Sequence, residues 1–129
     1  MIKMFLRSDI GSHGEKIAAK YLKKNGYRIL KRNHRESHKE IDIIATNKDY
    51  IAFIEVKTRS VDDDLYNPFG TPASAVNSVK QKNLISGARS YLKSNPTNKQ
   101  PRMDVIEVYL KKGTKTVLKI NHYPGAYHA

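Results

Sequence analysis

Two apolar segments, residues 40–46 and 51–59, constrain the fold most strongly. They are separated by the polar stretch Asn47-Lys48-Asp49-Tyr50, and alternating segments around such a stretch are typical of a β-hairpin. If Lys48 and Asp49 form a two-residue turn, residues whose numbers add up to 97 face each other. One face of the hairpin is then wholly apolar and consists of Ile41, Ile43, Ala45, Ala52, Ile54 and Val56.

The same register predicts an unusual arrangement of charge on the opposite face. Asp42 lies across from Glu55, and Glu40 lies across from Lys57. Opposed Cβ atoms are about 4.5–5.5 Å apart, and like charges at that separation are destabilising. A shared proton, a neighbouring lysine or a bound cation would each explain two opposed carboxylates. A solvated face with an exposed Glu40–Lys57 ion pair is the simpler alternative.

A divalent cation is the explanation that we favour. Mg²⁺ prefers oxygen ligands and typically takes one or two carboxylates together with water and substrate phosphates. Asp42 and Glu55 would supply the carboxylates, and the backbone carbonyl of Val56 is a third candidate ligand. Lys57 would point to the same site, where it would assist an attacking water and stabilise charge that develops on phosphorus.

Glu15 is a further candidate for this site. The sequence predicts a first helix over 13–25, with Ser12 as N-cap and Gly26 as the C-terminal glycine. Glu15 shares a helix face with apolar residues and could therefore look toward the sheet as an accessory ligand or acid–base group. Its spacing from Ser12 also fits a capping box, in which Glu15 would bond back to the cap.

The remaining segments complete an α/β pattern. Strands are predicted over 27–33, 103–110 and 116–122, the last two joined through Gly113, and a second helix over 71–94 with Thr71-Pro72 at its start. The order α-β-β-β-α-β-β predicts one domain over 1–129, with a mixed β-sheet flanked by helices. There is no long apolar stretch, secretory signal or cysteine, so we expect a cytoplasmic protein with no membrane span.

The charge of the chain indicates an anionic partner. Twenty-four basic residues against twelve acidic ones give a net charge of +12, which favours nucleic acid or an anionic membrane. A basic amphipathic helix with bulky apolar residues is absent, which disfavours the membrane. Candidate phosphate contacts, each with a structural alternative such as a charged sheet edge or a solvated side chain, are Lys31, Arg32, Arg35 and Arg59.

The spacing from Asp42 to Glu55-Val56-Lys57 resembles the PD-(D/E)xK motif of restriction-endonuclease-like nucleases. Glu15 on a preceding helix is similar to the archaeal Holliday junction resolvases of that superfamily. The closest resemblance is to the YraN-like family of predicted endonucleases and covers about Gly11 to Tyr127. Besides the hairpin, the matching segments are Gly11-x-x-Gly14-Glu15, Gly26-Tyr27, Phe69-Gly70-x-Pro72, Lys80 and Arg102-Met103-Asp104-Val105. Ile41 stands where the superfamily's name has a proline.

The resemblance implies a restriction-endonuclease-like fold and a metal-dependent phosphodiesterase site. It also implies a phosphate contact for Lys80, whose alternative is a helix lysine that extends its charge to solvent past an apolar stripe. We therefore expect a Mg²⁺- or Mn²⁺-dependent DNA endonuclease that acts on structured or branched DNA, with RNA as a further possible substrate. Related resolvases act as dimers, so a homodimer is possible. The alternatives are a nucleic-acid-binding module that does not cleave and a basic adaptor that binds an acidic protein.

Overall fold

The structure, a computed structural model, describes residues 2–62 and 77–128, with side chains from residue 9 onward. Its elements follow the predicted order α-β-β-β-α-β-β. They are α1 (Ile2–Lys24), β1 (Arg28–Glu36), β2 (Lys39–Thr46), β3 (Tyr50–Val61), α2 (Ser78–Ser94), β4 (Gln100–Lys111) and β5 (Val117–Tyr127).

The five strands form one mixed sheet in the order β1-β2-β3-β4-β5. Strands β3 and β4 are parallel, and every other neighbouring pair is antiparallel. A parallel pair needs a long crossover connection, and α2 lies in that connection along the chain. The predicted mixed sheet flanked by helices is therefore confirmed.

The predicted hairpin register is confirmed from Ile43 paired with Ile54 to Thr46 paired with Ile51. In the turn, the side-chain oxygen of Asn47 accepts hydrogen bonds from the backbone N–H groups of Asp49, at 3.0 Å, and of Tyr50, at 2.8 Å. This is the local bonding that makes asparagine a frequent turn residue.

The ladder between β2 and β3 ends at the Ile43–Ile54 pair. Beyond that point the carboxylate of Asp42 accepts a hydrogen bond from the backbone N–H of Val56 at 2.8 Å. The predicted pairings of Asp42 with Glu55 and of Glu40 with Lys57 are therefore absent from the ladder. Glu40 is instead paired with Arg35 of β1, both in the sheet register and in an ion pair of 3.8 Å.

Each face of the sheet is covered by one helix. Residues Ala18, Ala19 and Leu22 of α1 are buried against one face, and Leu84, Ala88 and Tyr91 of α2 against the other. The sheet residues on the α1 side are Ile43, Ala45, Ala52, Ile54, Val56, Ile106, Val108 and Leu110. Those on the α2 side are Ile41, Ile44, Ile51, Phe53, Met103, Val105 and Tyr127.

One member of the predicted apolar face is on the other side. Ile41 packs toward α2, where a Cβ atom added to Gly87 would lie 3.4 Å from Ile41 Cδ1. The strict alternation of β2 is interrupted at Asp42, because a side chain rather than the backbone of that residue bonds to β3. The alternation on which the prediction relied is valid only where the ladder continues.

The first helix begins at Ile2, well before the predicted start at His13. Ser12 lies inside α1, so its assignment as N-cap and the capping box with Glu15 are wrong. Residues 2–11 contain no proline, and a serine does not by itself end a helix. The end of α1 agrees with the prediction, since Gly26 has the positive φ, +87°, of a C-terminal glycine.

The second helix begins at Ser78, where Asn77 caps it. Asn77 has an extended backbone, and its side-chain oxygen accepts a hydrogen bond from Lys80 N at 2.8 Å. The predicted start of this helix is therefore wrong, and Thr71-Pro72 lie outside the described residues. The predicted end at Ser94 is confirmed.

We predict that Gly14 and Gly11 respond oppositely to alanine, although both lie within α1. A Cβ atom at Gly14 would collide with the Thr58 side chain of β3, at 2.9 Å from Thr58 Cβ, whereas Gly11 has nothing within 4 Å. Gly14→Ala should lower the free energy of unfolding by about 1–3 kcal/mol through overpacking. Gly11→Ala should raise it by up to about 1 kcal/mol through helix propensity. Urea denaturation measures both, and equal effects would contradict this packing of α1 on β3.

Candidate functional site

The carboxylates of Asp42 and Glu55 lie in one cleft. Asp42 is only 9% exposed and Glu55 only 4%. The bond from the Val56 amide directs Asp42 toward β3, so that its carboxylate lies beside that of Glu55. Both side chains line a cleft of about 470 Å³ between β2, β3 and the first turns of α2. The structure thus brings together the two residues that the sequence proposed as metal ligands.

Two lysines accompany Glu55. Lys80 Nζ of α2 donates a hydrogen bond to Glu55 Oε2 at 2.7 Å, and Lys57 Nζ of β3 is 3.6 Å from the same oxygen. Burial acts to lower the pKa of Lys80, but the hydrogen bond and the charge of Glu55 outweigh it and raise that pKa. A neighbouring lysine, one of the three explanations for opposed carboxylates, therefore accounts for the buried charge of Glu55.

Asp42 has no ion-pair partner among the residues that the structure describes. Burial first, and repulsion from Glu55 second, raise the pKa of Asp42 to about 7. The hydrogen bond from the Val56 amide opposes this shift without cancelling it. Near neutral pH, Asp42 is consequently a carboxyl group that either keeps a proton or requires another cation.

Glu15 lies on the α1 side of the same hairpin. Burial raises its pKa, the side chains of Arg32 and Asn33 act in the opposite direction, and the charges of Glu40 and Glu55 add to the rise. Glu15 lines a second cleft, of about 330 Å³, together with Val56 and Lys57. With the capping box excluded, Glu15 faces the hairpin.

Glu15 does not complete a three-carboxylate cage. Within residues 2–62 and 77–128, no three acidic, histidine or cysteine side chains converge closely enough to enclose a metal ion. Asp42 and Glu55 are the buried carboxylates of this open cleft, which the exposed Glu40 also lines. Such a pair suits Mg²⁺, which keeps several waters and takes remaining ligands from a substrate.

The predicted phosphate-binding residues divide into groups. Lys31, Arg32 and Arg35 are exposed on β1, an edge strand of the sheet, with Arg32 near Glu15. Lys80 belongs to the carboxylate cleft. Arg59 bonds to the buried Glu107 at 3.3 Å.

Sequence reasoning missed Glu107. It is 5% exposed on β4, lies beside Lys57 in the parallel register, and accepts hydrogen bonds from Arg59 and from the Tyr109 hydroxyl. The available signal was an acidic residue inside the otherwise apolar run of residues 105–110. An acid in such a run needs a buried partner.

A second buried polar network is structural. Asp104 is fully buried and accepts hydrogen bonds from Arg102, at 2.9 and 2.8 Å, and from the Gly125 backbone N–H, at 3.0 Å. It is also bonded to the His122 ring at 2.8 Å. Arg102 and His122 are thus the two charged or polar side chains that hold Asp104. This network joins the start of β4 to β5, on the α1 side of the sheet.

Comparison with known proteins identifies the family. The family model described as "Uncharacterised protein family UPF0102" matches residues 14–108. The chain belongs to the UPF0102 family. The matched range contains the candidate site residues Glu15, Asp42, Glu55, Lys57 and Lys80.

Curated UPF0102 proteins resemble the chain over almost its whole length. A UPF0102 protein of Caldanaerobacter subterraneus subsp. tengcongensis is 43% identical over 127 residues, which cover 98% of this chain and all of the relative. One of Alkaliphilus oremlandii is 44% identical, covering 95% of this chain and all of the relative. One of Clostridium acetobutylicum is 47% identical, covering 81% and 83% respectively. Among the described residues of this UPF0102 protein, no helix has the length and apolar character needed to cross a membrane.

We predict that Asp42→Asn stabilises the protein at pH 8 and has less effect at pH 5. Folding raises the pKa of Asp42 from 3.8 to about 7, so the proton that Asp42 binds stabilises the folded protein. This contribution to the free energy of unfolding is complete below about pH 4 and is lost as the pH rises through 7. Asparagine removes this titration while its side-chain oxygen can still accept from the Val56 amide. The gain at pH 8 should be on the order of a few kcal/mol. Urea denaturation in EDTA measures it, and a gain independent of pH would contradict this role of Asp42.

Proposed function

We propose that this protein is a divalent-metal-dependent endonuclease that hydrolyses phosphodiester bonds in DNA, with structured or branched DNA as its preferred substrate. The observation that carries the proposal is the pair of buried carboxylates, Asp42 and Glu55, beside Lys57 and Lys80 in an open cleft. The resemblance of this hairpin to the PD-(D/E)xK motif supports the same chemistry.

The chemistry of Asp42 fits a divalent cation. Its buried carboxylate forms no ion pair among the described side chains. The charge of Lys80 and the Val56 amide do not cancel the rise in its pKa, which expresses the cost of ionising it there. A cation held by Asp42 and Glu55, with the Val56 carbonyl as a third candidate ligand, would offset that cost. When bound, Mg²⁺ or Mn²⁺ would supply Lewis-acid polarisation of the phosphate and lower the pKa of a coordinated water.

The other residues of the site have distinct tasks. Lys57 is 31% exposed, contacts Glu55, and lines the cleft that it shares with Glu15. Its ammonium group would orient the attacking water and stabilise negative charge that develops on phosphorus. Glu15, whose pKa is raised by burial, is suited to hold a proton near neutral pH and to exchange it as an accessory acid or base.

The charge of the molecule supports a nucleic-acid substrate. The net charge is +12. Three basic side chains are exposed on the edge strand β1, namely Lys31, Arg32 and Arg35. Arg32 is close enough to Glu15 for its charge to act on that carboxylate. Lysine and arginine at such an edge can neutralise backbone phosphates without reading sequence. The preference for branched DNA follows from the resemblance to junction resolvases, and a homodimer would match a two-fold junction.

We predict metal-dependent cleavage that is lost in Asp42→Asn, Glu55→Gln and Lys57→Ala. End-labelled four-way junction, flap, duplex and single-stranded DNA, with an RNA strand for comparison, would be incubated with Mg²⁺, Mn²⁺ or EDTA. Loss of one metal ligand or of the charge-stabilising lysine should lower the rate by at least about 100-fold. Matched controls are Asp49→Asn and Lys48→Ala in the exposed turn of the same hairpin, and both should cleave like wild type.

The outcomes of this assay separate the rival functions. Equal cleavage by wild type and Glu55→Gln would refute the assignment of the site. DNA that is bound but not cleaved by any preparation, with binding unaffected by metal, would favour the non-cleaving binding module. Absence of DNA binding, with capture of an acidic protein that survives nuclease treatment, would favour the adaptor.

We further predict that the edge strand binds backbone phosphates. Replacing Lys31, Arg32 and Arg35 together with alanine should weaken DNA binding and reduce the slope of log affinity against log salt by about 0.9 for each phosphate that is no longer neutralised. Fluorescence anisotropy across a salt series measures the slope in EDTA. The control removes the same charge from Lys111, Lys112 and Lys115 near the β4–β5 turn. An unchanged slope in the β1 variant would show that β1 serves only as a charged sheet edge.

A further inference from the structure

Glu55 already has a cationic partner that comes from outside the hairpin. Lys80 Nζ is 2.7 Å from Glu55 Oε2, whereas Lys57 Nζ is 3.6 Å from that atom. The shorter contact is a charge-assisted hydrogen bond, which is stronger than a bond between neutral groups. Glu55 therefore needs no added cation in order to be buried. Asp42 forms no such bond among the described residues, and the charge of Lys80 acts on it only at longer range.

The backbone of Lys80 is fixed in position, whereas its side chain is partly exposed to solvent. The Asn77 side chain caps α2 by accepting from Lys80 N at 2.8 Å, which sets the position of the Lys80 backbone. The Lys80 side chain is 43% exposed and lines the carboxylate cleft with Val79 and Asn83. A long side chain with this exposure can leave Glu55 for another position in the cleft without any change in α2.

A divalent cation and the Lys80 ammonium group require the same carboxylate. A cation held by Asp42 and Glu55 takes an oxygen of Glu55 as a ligand. An ammonium group that remained bonded to Glu55 would then lie beside a second positive charge in a mostly buried site, where solvent screens repulsion weakly. Lys57 Nζ is farther from Glu55, at 3.6 Å, so a cation bound there would repel it less strongly than Lys80.

We propose that Lys80 is a tethered counterion that competes with the divalent cation for Glu55, and that cation binding releases its ammonium group to a phosphate of the nucleic acid in the same cleft. This inference rests on the proposed metal-dependent function. Lys80 then has two partners in sequence. In the metal-free protein it neutralises Glu55, and in the metal-loaded protein it binds substrate.

The test measures binding of Mn²⁺ alone, in the absence of nucleic acid, by electron paramagnetic resonance of the free ion and by calorimetry. Lys80→Met, which keeps an unbranched side chain of nearly the same length and removes its charge, should bind Mn²⁺ on the order of tenfold more tightly than wild type. Lys82→Met, an exposed lysine on the same helix, should bind like wild type. Lys80→Arg keeps the competing charge and should not show the gain. If Lys80→Met unfolds, Lys80→Gln provides the same comparison.

A second measurement follows the lysine itself. In wild type, addition of Mg²⁺ should shift the Lys80 side-chain NMR signals toward those of a solvated lysine and leave the Lys82 signals unchanged. If wild type binds Mn²⁺ but Lys80→Met binds it equally or more weakly, the competition is refuted while the metal site stands. If neither protein binds Mn²⁺, both the metal site and the competition are refuted.

Discussion

The hydrogen bond from the Val56 backbone N–H to the Asp42 carboxylate is the interaction on which the candidate site depends. It takes over where the backbone ladder between β2 and β3 ends, one residue beyond Ile43. In an uninterrupted ladder, Asp42 would be one more residue that follows the alternation of the strand. Its carboxylate bonds to the β3 backbone and lies beside Glu55, and Ile41 packs on the α2 side. The side-chain bond thus lies at the local irregularity and fixes the Asp42 member of the carboxylate pair.

This arrangement is costly and is maintained by the layers around it. Two adjacent buried carboxylates repel each other, and burial alone already disfavours their ionised forms. The central strand β3, covered by α1 on one face and α2 on the other, holds Glu55 in place within two apolar clusters. Lys80 offsets one charge from α2, while Asp42 remains without a comparable partner in the described structure. A site that is electrostatically incomplete in this way is the kind that a cation or a substrate completes.

The two clefts divide the proposed chemistry between the faces of the sheet. The α2 side carries the carboxylates with Lys80, and Lys57 Nζ reaches the same oxygen of Glu55. The α1 side carries Glu15 and the nearby basic edge strand. Under the proposed function, metal and phosphate would meet in the first cleft, where Lys57 would act on the attacking water, while Glu15 would exchange protons from the second. The displacement of Lys80 from Glu55 would then couple metal loading to substrate binding, since the same ammonium group serves both.

Periodicity and turn chemistry depend on neighbours in the chain. The sequence alone therefore determined the order of the elements, the turn at Asn47, the end of α1 at Gly26 and the register from Ile43 to Thr46. It failed at Ser12, which lies inside α1 because no helix-breaking residue precedes it. It also failed at Ile41, because the predicted alternation was extended past the end of the ladder. The sequence also named Asp42, Glu55 and Lys57 as a group. Only the tertiary structure decided that Lys80 is the closest cation to Glu55 and that Glu107 is buried with Arg59, since residues 25 and 48 positions apart are joined by packing that no local pattern encodes.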